Sequence, residues 1–167
     1  MLFRDQPLWQ RQLELLSKLQ PERIFISART DPSWRPVDIE FVADAQPSRG
    51  PLSGIAAALS RTKSDHLLVL GIDMPFLTVD YLTELVARIR PGCGAVPTIA
   101  GRAEPLAAIY PRNADVDLGR ALSGDNFSLR PLIAELIFAR KLKVVEVRQD
   151  ERSLFRNLNE PGDVIVE

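Results

Sequence analysis

Residues 66–77 read HLLVLGIDMPFL. The apolar run from His66 to Ile72 is almost unbroken and stops at Asp73, after which Met74-Pro75-Phe76 follows. Runs without polar alternation form strands covered by helices on both faces, the usual state of parallel sheets. Proline cannot continue the ladder, so the chain must turn away after Asp73. The stretch predicts a central strand, with Leu68, Val69 and Leu70 buried and a carboxylate at the strand's carboxyl end. In open α/β sheets ligands bind beyond the carboxyl ends of strands, where the strand order reverses.

Working outward, 6–20 (QPLWQRQLELLSKLQ) spaces its apolar residues mostly by three and four, the pattern of a helix with one buried face. Pro21 ends it, and RIFISA (23–28) and VDIEFVA (37–43) read as strands. The loop DAQPSRGPLSG (44–54) leads into a short Ala-rich helix over 55–59. On the other side, Thr78 predicts an N-cap for VDYLTELVARIR (79–90), which Pro91 and Gly92 close. GAVPTIAGRAEPLAAIYP (94–111) predicts two strands folded about Gly101. Ser128 predicts a cap for LRPLIAELIFARKL (129–142), and KVVEVR (143–148) a last strand. FRNLNEPGDV (155–164) reads as a loop leading toward a terminal helix. Helix and buried strand alternate, so the expected class is α/β, a mostly parallel sheet flanked by helices, in one domain over 1–167.

Composition narrows the function. The chain has 167 residues, 46% apolar and 26% charged, as in an ordinary globular domain. Its 21 basic and 22 acidic residues leave a net charge of −1, which argues against sequence-blind nucleic-acid binding and polybasic membrane binding. With one cysteine, Cys93, and one histidine, His66, the chain cannot form an internal disulfide, and a Cys/His zinc site is nearly ruled out. A Ser–His–Asp triad would need His66, which opens the strand with no nucleophile motif around it and reads as structural. No apolar run reaches the ~18 residues that span a bilayer, and MLFRDQPLWQ carries no signal-peptide core. A cytoplasmic setting is expected, with no nucleic-acid or membrane partner.

The candidate chemistry lies in four places. Asp73 either caps the following turn or holds Mg²⁺, which takes one or two protein oxygens together with water and substrate phosphates. Asp44 opens a loop in which Gly50 and Gly54 allow close backbone approach. The helix start at Pro51 offers amides to an anion, or the segment is a solvated turn. Asn157 and Asn159 can ligate a cation or hold a hydroxyl, or serve as turn residues. Arg102 and Glu104 can face a polar substrate. There is no G-x-G-x-x-G and no G-x-x-x-x-G-K-[ST], and no glycine precedes Gly50.

In this order, QPLWQRQLELL, RIFISA, GPLSGIAAAL, LLVLGIDMPFL, GRAEPLAAIYP, SLRPLI and NLNEPGDV resemble the MobA-like nucleotidyltransferases, the molybdenum cofactor guanylyltransferase-like family. The resemblance runs from about Phe3 to the C-terminus. It implies a Rossmann-like nucleotidyltransferase fold, Mg²⁺, and transfer of NMP from an NTP to a phosphorylated acceptor with release of pyrophosphate. GTP is the favoured nucleotide and molybdopterin the model acceptor. By motif, the resemblance makes Asp73 the catalytic, metal-binding and nucleotide-side acid, and Asp44 a nucleotide contact. It puts Gly50, Pro51, Leu52 and Gly54 beside the nucleotide and Asn159 near the metal. Arg102, Glu104, Pro105 and Asn157 fall on the acceptor side.

Two departures stand out. The family opens with a strand and the loop L-A-G-G-x-S-x-R-M-G-x-D-K, and neither has a counterpart here. The expectation is an N-terminally shortened domain without the first strand and phosphate loop. Arg29 stands where the guanylyltransferase pattern often has Asn, which leaves the base open. The readings are therefore an active guanylyltransferase-like enzyme, a catalytically inactive truncated homologue acting as a binding or scaffold protein, and a cytidylyl or sugar-phosphate nucleotidyltransferase.

Overall fold

The computed structural model describes residues 2–3 and 5–158. A short antiparallel pair, β1 (Leu2–Phe3) and β2 (Gln6–Pro7), leads into helix α1 (Leu8–Ser17), whose buried residues are Leu8, Gln12 and Leu15. Strands β3 (Phe25–Ala28) and β4 (Glu40–Ala43) follow, then helix α2 (Pro51–Arg61) and strand β5 (His66–Leu68). Helix α3 (Val79–Val86) starts at the expected cap, the Thr78 hydroxyl accepting from the Tyr81 N–H at 3.2 Å. Beyond it come β6 (Gly94–Ile99), β7 (Arg102–Ala103), β8 (Ile109–Pro111), α4 (Asp115–Leu122), α5 (Leu129–Phe138) and β9 (Leu142–Glu146). A 3-10 helix over Gln149–Phe155 ends the regular structure among the described residues. The terminal helix expected after Asn159 lies outside the described residues.

The α/β class stands, but the strands form mixed sheets rather than a mostly parallel one. β3 and β4 pair in parallel from Phe25↔Glu40 to Ala28↔Ala43. A separate five-stranded sheet runs β5-β8-β6-β7, with β9 parallel to β6. The antiparallel pairs arise because no crossover helix separates β6, β7 and β8. Ala100 and Gly101 both have positive φ (50° and 75°), which matches a tight two-residue hairpin turn. The short connection over Pro105–Ala107 then returns the chain as β8 against β5 and β6.

The buried expectation for Leu68, Val69 and Leu70 needs correction, since all three are half-buried. β5 is the edge of the five-stranded sheet, so only one of its sides is paired. Among the described residues no backbone hydrogen bond joins β5 to β3. The side facing β8 is well made, with Val69 N–H donating to Ala108 O at 2.8 Å and Gly71 N–H to Leu106 O at 2.7 Å.

Successive strand residues point to opposite faces, and the core divides accordingly. Val96, Ala108 and Tyr110 pack with α2, α4 and α5, through Leu52, Ile55, Leu59, Leu118, Leu132 and Leu136. Ala95 and Ile109 pack against Leu85 of α3. Helix α2 also packs on β3 and β4, so it covers both sheets. His66 is structural, its Nε2 lying 3.1 Å from Arg90 O and 3.3 Å from Cys93 O. Among the described residues no helix is long and apolar enough to cross a membrane.

The closest backbone approach in the sheet is at Gly94, where a Cβ would sit 1.8 Å from Ile109 O. Backbone cannot yield there as a side chain can. Gly94→Ala is expected to destabilise the fold by about 3 kcal/mol, the upper range for overpacking, as measured by urea unfolding.

Candidate active site

The turn after β5 carries Asp73, and its carbonyls are held from two directions. Gln12 of α1 donates from Nε2 to Gly71 O at 3.0 Å and to Met74 O at 2.9 Å. The neighbouring Arg11 donates from Nε to Pro75 O. From the other end of the chain, Leu158 N–H donates to Asp73 O at 2.8 Å. Met74 and Leu77 are buried beneath, and Phe76 packs edge-on against Phe3 with ring centroids 5.0 Å apart. The Asp73 carboxylate is half-buried and takes no hydrogen bond or ion pair among the described residues. It lies close over Gly71, where a Cβ would come within 2.8 Å of Oδ1.

Asp44 follows β4 at that strand's carboxyl end. Its Oδ1 accepts from Ser27 Oγ at 3.3 Å and its Oδ2 from Ser48 Oγ at 3.1 Å. Gly54 lets α2 pass close by, since a Cβ there would lie 2.9 Å from Ser27 Oγ and 3.2 Å from Asp44 Oδ1. Gly50 precedes the helix with φ 70°, a conformation that favours glycine, and Pro51 takes the first helical position. Leu52 is fully buried in the core, so it shapes the helix start from beneath and offers a ligand no exposed surface. Ser53 Oγ accepts from Arg49 N–H at 2.7 Å, and the Arg49 guanidinium lies 4.1 Å over the Phe127 ring. Asp44 follows β4 directly, and Asp73 lies on the turn that follows β5, with α2 between them in sequence.

The segment from Arg102 to Pro105 reaches the Asp73 turn through Leu106, whose carbonyl accepts from Gly71 N–H. Arg102 is exposed and Glu104 half-buried, while Pro105 O accepts from the Tyr110 hydroxyl at 2.9 Å. Burial pushes the Glu104 carboxyl above its ordinary value of 4.5. Asn157 is exposed and precedes the residue that bonds to Asp73 O, so it too lies beside the turn. Asn159 lies outside the described residues. A cavity of about 320 Å³ lined by Asp65, Gly92, Arg112 and Asn113 sits where β5 begins, away from these loops.

An ionised carboxylate is acceptor-only, and an unpartnered one on a fixed turn suits a hard cation. Among the described residues no three His, Cys, Asp or Glu side chains group as a metal cage. That agrees with Mg²⁺, which needs one or two protein carboxylates when phosphates and water complete its shell. A free carboxylate of this kind is chemically suited to a hard divalent cation completed by phosphates and water.

Residues 1–143 match the family model described as the MobA-like NTP transferase domain. The chain belongs to this family. A probable molybdenum cofactor guanylyltransferase of Opitutus terrae is 34% identical over 164 residues, covering 96% of this chain and 81% of that protein. Another so named, from Clostridium perfringens, is 30% identical, covering 83% of this chain and 71% of its own. Among solved structures, the molybdopterin-guanine dinucleotide biosynthesis protein A of Archaeoglobus fulgidus matches with a TM-score of 0.73 and 24% identity, covering 98% and 85% of the two chains. A protein from Aquifex aeolicus matches with a TM-score of 0.75 and 14% identity, covering 96% and 87%. These structural likenesses show the nucleotidyltransferase fold. As a MobA-like domain the chain is an enzyme of the nucleotidyltransferase class, one that uses a divalent metal.

Reading the MobA-like motifs left several supporting residues unseen. Ser27 and Ser48 hold Asp44, and Arg11 and Gln12 hold the Asp73 turn. Gln12 left a legible trace, as a polar residue on the same helix face as Leu8 and Leu15. Ser27 left none, because a serine in a strand has no partner until the fold supplies one.

Glu104 gives a pH test. Its folded value is raised, so its charged form costs stability above that value, and the cost disappears as pH falls below 4.5. Glu104→Gln is expected to be more stable than the parent at neutral pH and equal to it below 4.5, in urea unfolding at both pH values.

Proposed function

We propose that this chain transfers a nucleoside monophosphate from an NTP, with GTP favoured, to a phosphorylated acceptor of the molybdopterin type, in a cytoplasmic setting. A phosphate oxygen of the acceptor forms the new bond to the α-phosphorus, the α–β bridging bond breaks, and pyrophosphate leaves. Asp73 carries this reading, as an unpartnered carboxylate on a braced turn at a strand's carboxyl end. Support for GTP and molybdopterin comes from the relatives named molybdenum cofactor guanylyltransferase.

Mg²⁺, when bound, neutralises charge as two anions meet, the principal demand of phosphoryl-type transfer. Asp73 would hold it, joined by Asn159. The Asp44 carboxylate, fixed by Ser27 and Ser48, accepts a hydrogen bond from a nucleoside N–H or O–H. Gly50, Pro51 and Gly54 lie beside the nucleotide, with Leu52 buried beneath them. Arg102 places a cation, and Glu104, Pro105 and Asn157 polar groups, on the acceptor side.

Among the described residues β3 and β5 each leave one edge unpaired, and β3 packs against α2.

In the active form, Asp73→Asn is expected to abolish metal-dependent pyrophosphate release while leaving the melting curve unchanged. Parent-like rates would remove Asp73 from the site. With Mg²⁺, GTP at ~100 times its Kd is expected to stabilise the protein by roughly 2.7 kcal/mol, and CTP and ATP by less. A larger shift with CTP would move the assignment to a cytidylyltransferase.

A further inference from the structure

We propose that Gln12 is a positioning residue for the cation site, acting through the turn that carries Asp73. The inference rests on the proposed metal role of Asp73. Gln12 lies on the buried stripe of α1 with Leu8 and Leu15, and only 6% of its surface is exposed. Leucine would suit that stripe better for stability alone, because a buried polar group costs free energy unless its bonds are met. Those of Gln12 are met on one side only. Its two N–H groups go to Gly71 O and Met74 O, while its buried Oε1 has no partner among the described residues.

The amide orientation follows from the acceptors, since only the NH₂ end can face two carbonyls. Gly71 and Met74 bracket Asp73, and Gly71 O also accepts from Met74 N–H at 3.4 Å, closing the turn on itself. One side chain thus fixes both ends of the turn whose middle carries the carboxylate. Arg11 holds Pro75 O just beyond, and Leu158 holds Asp73 O. Gln12 never touches the ion or the nucleotide. Its effect is to keep the Asp73 oxygens at one place, so that a cation meets a preset ligand. Groups that orient metal ligands typically change affinity by ~10–100-fold when removed.

The test uses the full chain and Mn²⁺, counted by the EPR signal of the free ion, with backbone hydrogen exchange measured in parallel. Gln12→Met keeps the side-chain length and deletes both donors. The expected result is a cooperative melting curve at a modestly lower temperature, exchange at residues 71–76 faster by about tenfold with the rest of the protein unaltered, and Mn²⁺ binding weaker by about tenfold. Unchanged exchange at the turn overturns the inference. So does faster exchange with parent-like Mn²⁺ binding. Asp73→Asn is the control arm. If that variant binds Mn²⁺ as the parent does, the metal role of Asp73 is wrong, and the exchange data alone then judge whether Gln12 fixes the turn. Should Gln12→Met fail to fold, Gln12→Asn, which draws the same donors back by one methylene, gives the same readings.

Discussion

A chain leaving the end of a buried strand carries carbonyls that must find donors, and this fold depends on how the turn at Gly71–Pro75 finds them. The turn lies where water is scarce, with Met74 and Pro75 buried. Orphaned backbone groups there would cost free energy comparable to a lost hydrogen bond each. The donors come from α1, through Arg11 and Gln12, and from Leu158. Segments more than 140 positions apart in sequence are thereby fastened to one five-residue turn. Phe3, Leu8 and Leu158 pack together beside it, with Phe76 against them. The apolar contacts and the polar ones enforce the same arrangement, so the placement of Asp73 belongs to the fold as a whole.

Helix α2 makes the second connection. It covers the five-stranded sheet through Leu52, Ile55 and Leu59 and reaches β3 and β4 as well, though no backbone bond joins the two sheets among the described residues. Its N-terminus lies beside Asp44, and its far end leads into β5 and so to Asp73. Gly54 is what lets this helix come close to Asp44. The arrangement leaves β5 with an unpaired side. An apolar strand with an open edge is a place where further strand can be added, and this explains why Leu68 and Leu70 are only half-buried despite their sequence.

Much of this was legible in the residues. The uninterrupted run before Asp73 located a strand, shorter than expected at His66–Leu68, with the carboxylate on the turn beyond it, Thr78 and Ser128 located two helix starts, and Gly101 located a hairpin. Each of these signals is local, carried by a backbone preference or a side chain bonding within a few positions. The mixed pairing was not legible, because strand direction depends on whether a crossover fits between β6 and β8. The burial of β5 was overestimated for a related reason, since an apolar run reports what a strand can bury and the sheet's neighbours decide what it does bury. Helix α4 escaped because its apolar stripe is short and built partly of alanine, with Leu118 its only fully buried residue and Ala121 and Leu122 packed beside it. At the site, the acids and glycines were visible as motifs, while Ser27, Ser48 and Gln12 acquire their roles only through partners far along the chain.

The distribution of positive charge bears on what this scaffold can do. Bringing two phosphorylated molecules together needs cationic groups aimed at the space between them. Near the site, Arg11 is engaged with Pro75 O and lies 5.2 Å from the Phe3 ring, and Arg49 stacks on Phe127. Elsewhere Arg23 pairs with Glu40, Arg35 with Asp31, and Arg148 with Glu84, Asp150 and Glu151. These arginines brace loops and strand ends, and an arginine so held presents little of its hydrogen-bonding fork to a ligand. Those arginines thus contribute to shape more than to anion binding. A braced acid turn is useful in that setting because a metal held there brings its own charge to the phosphates.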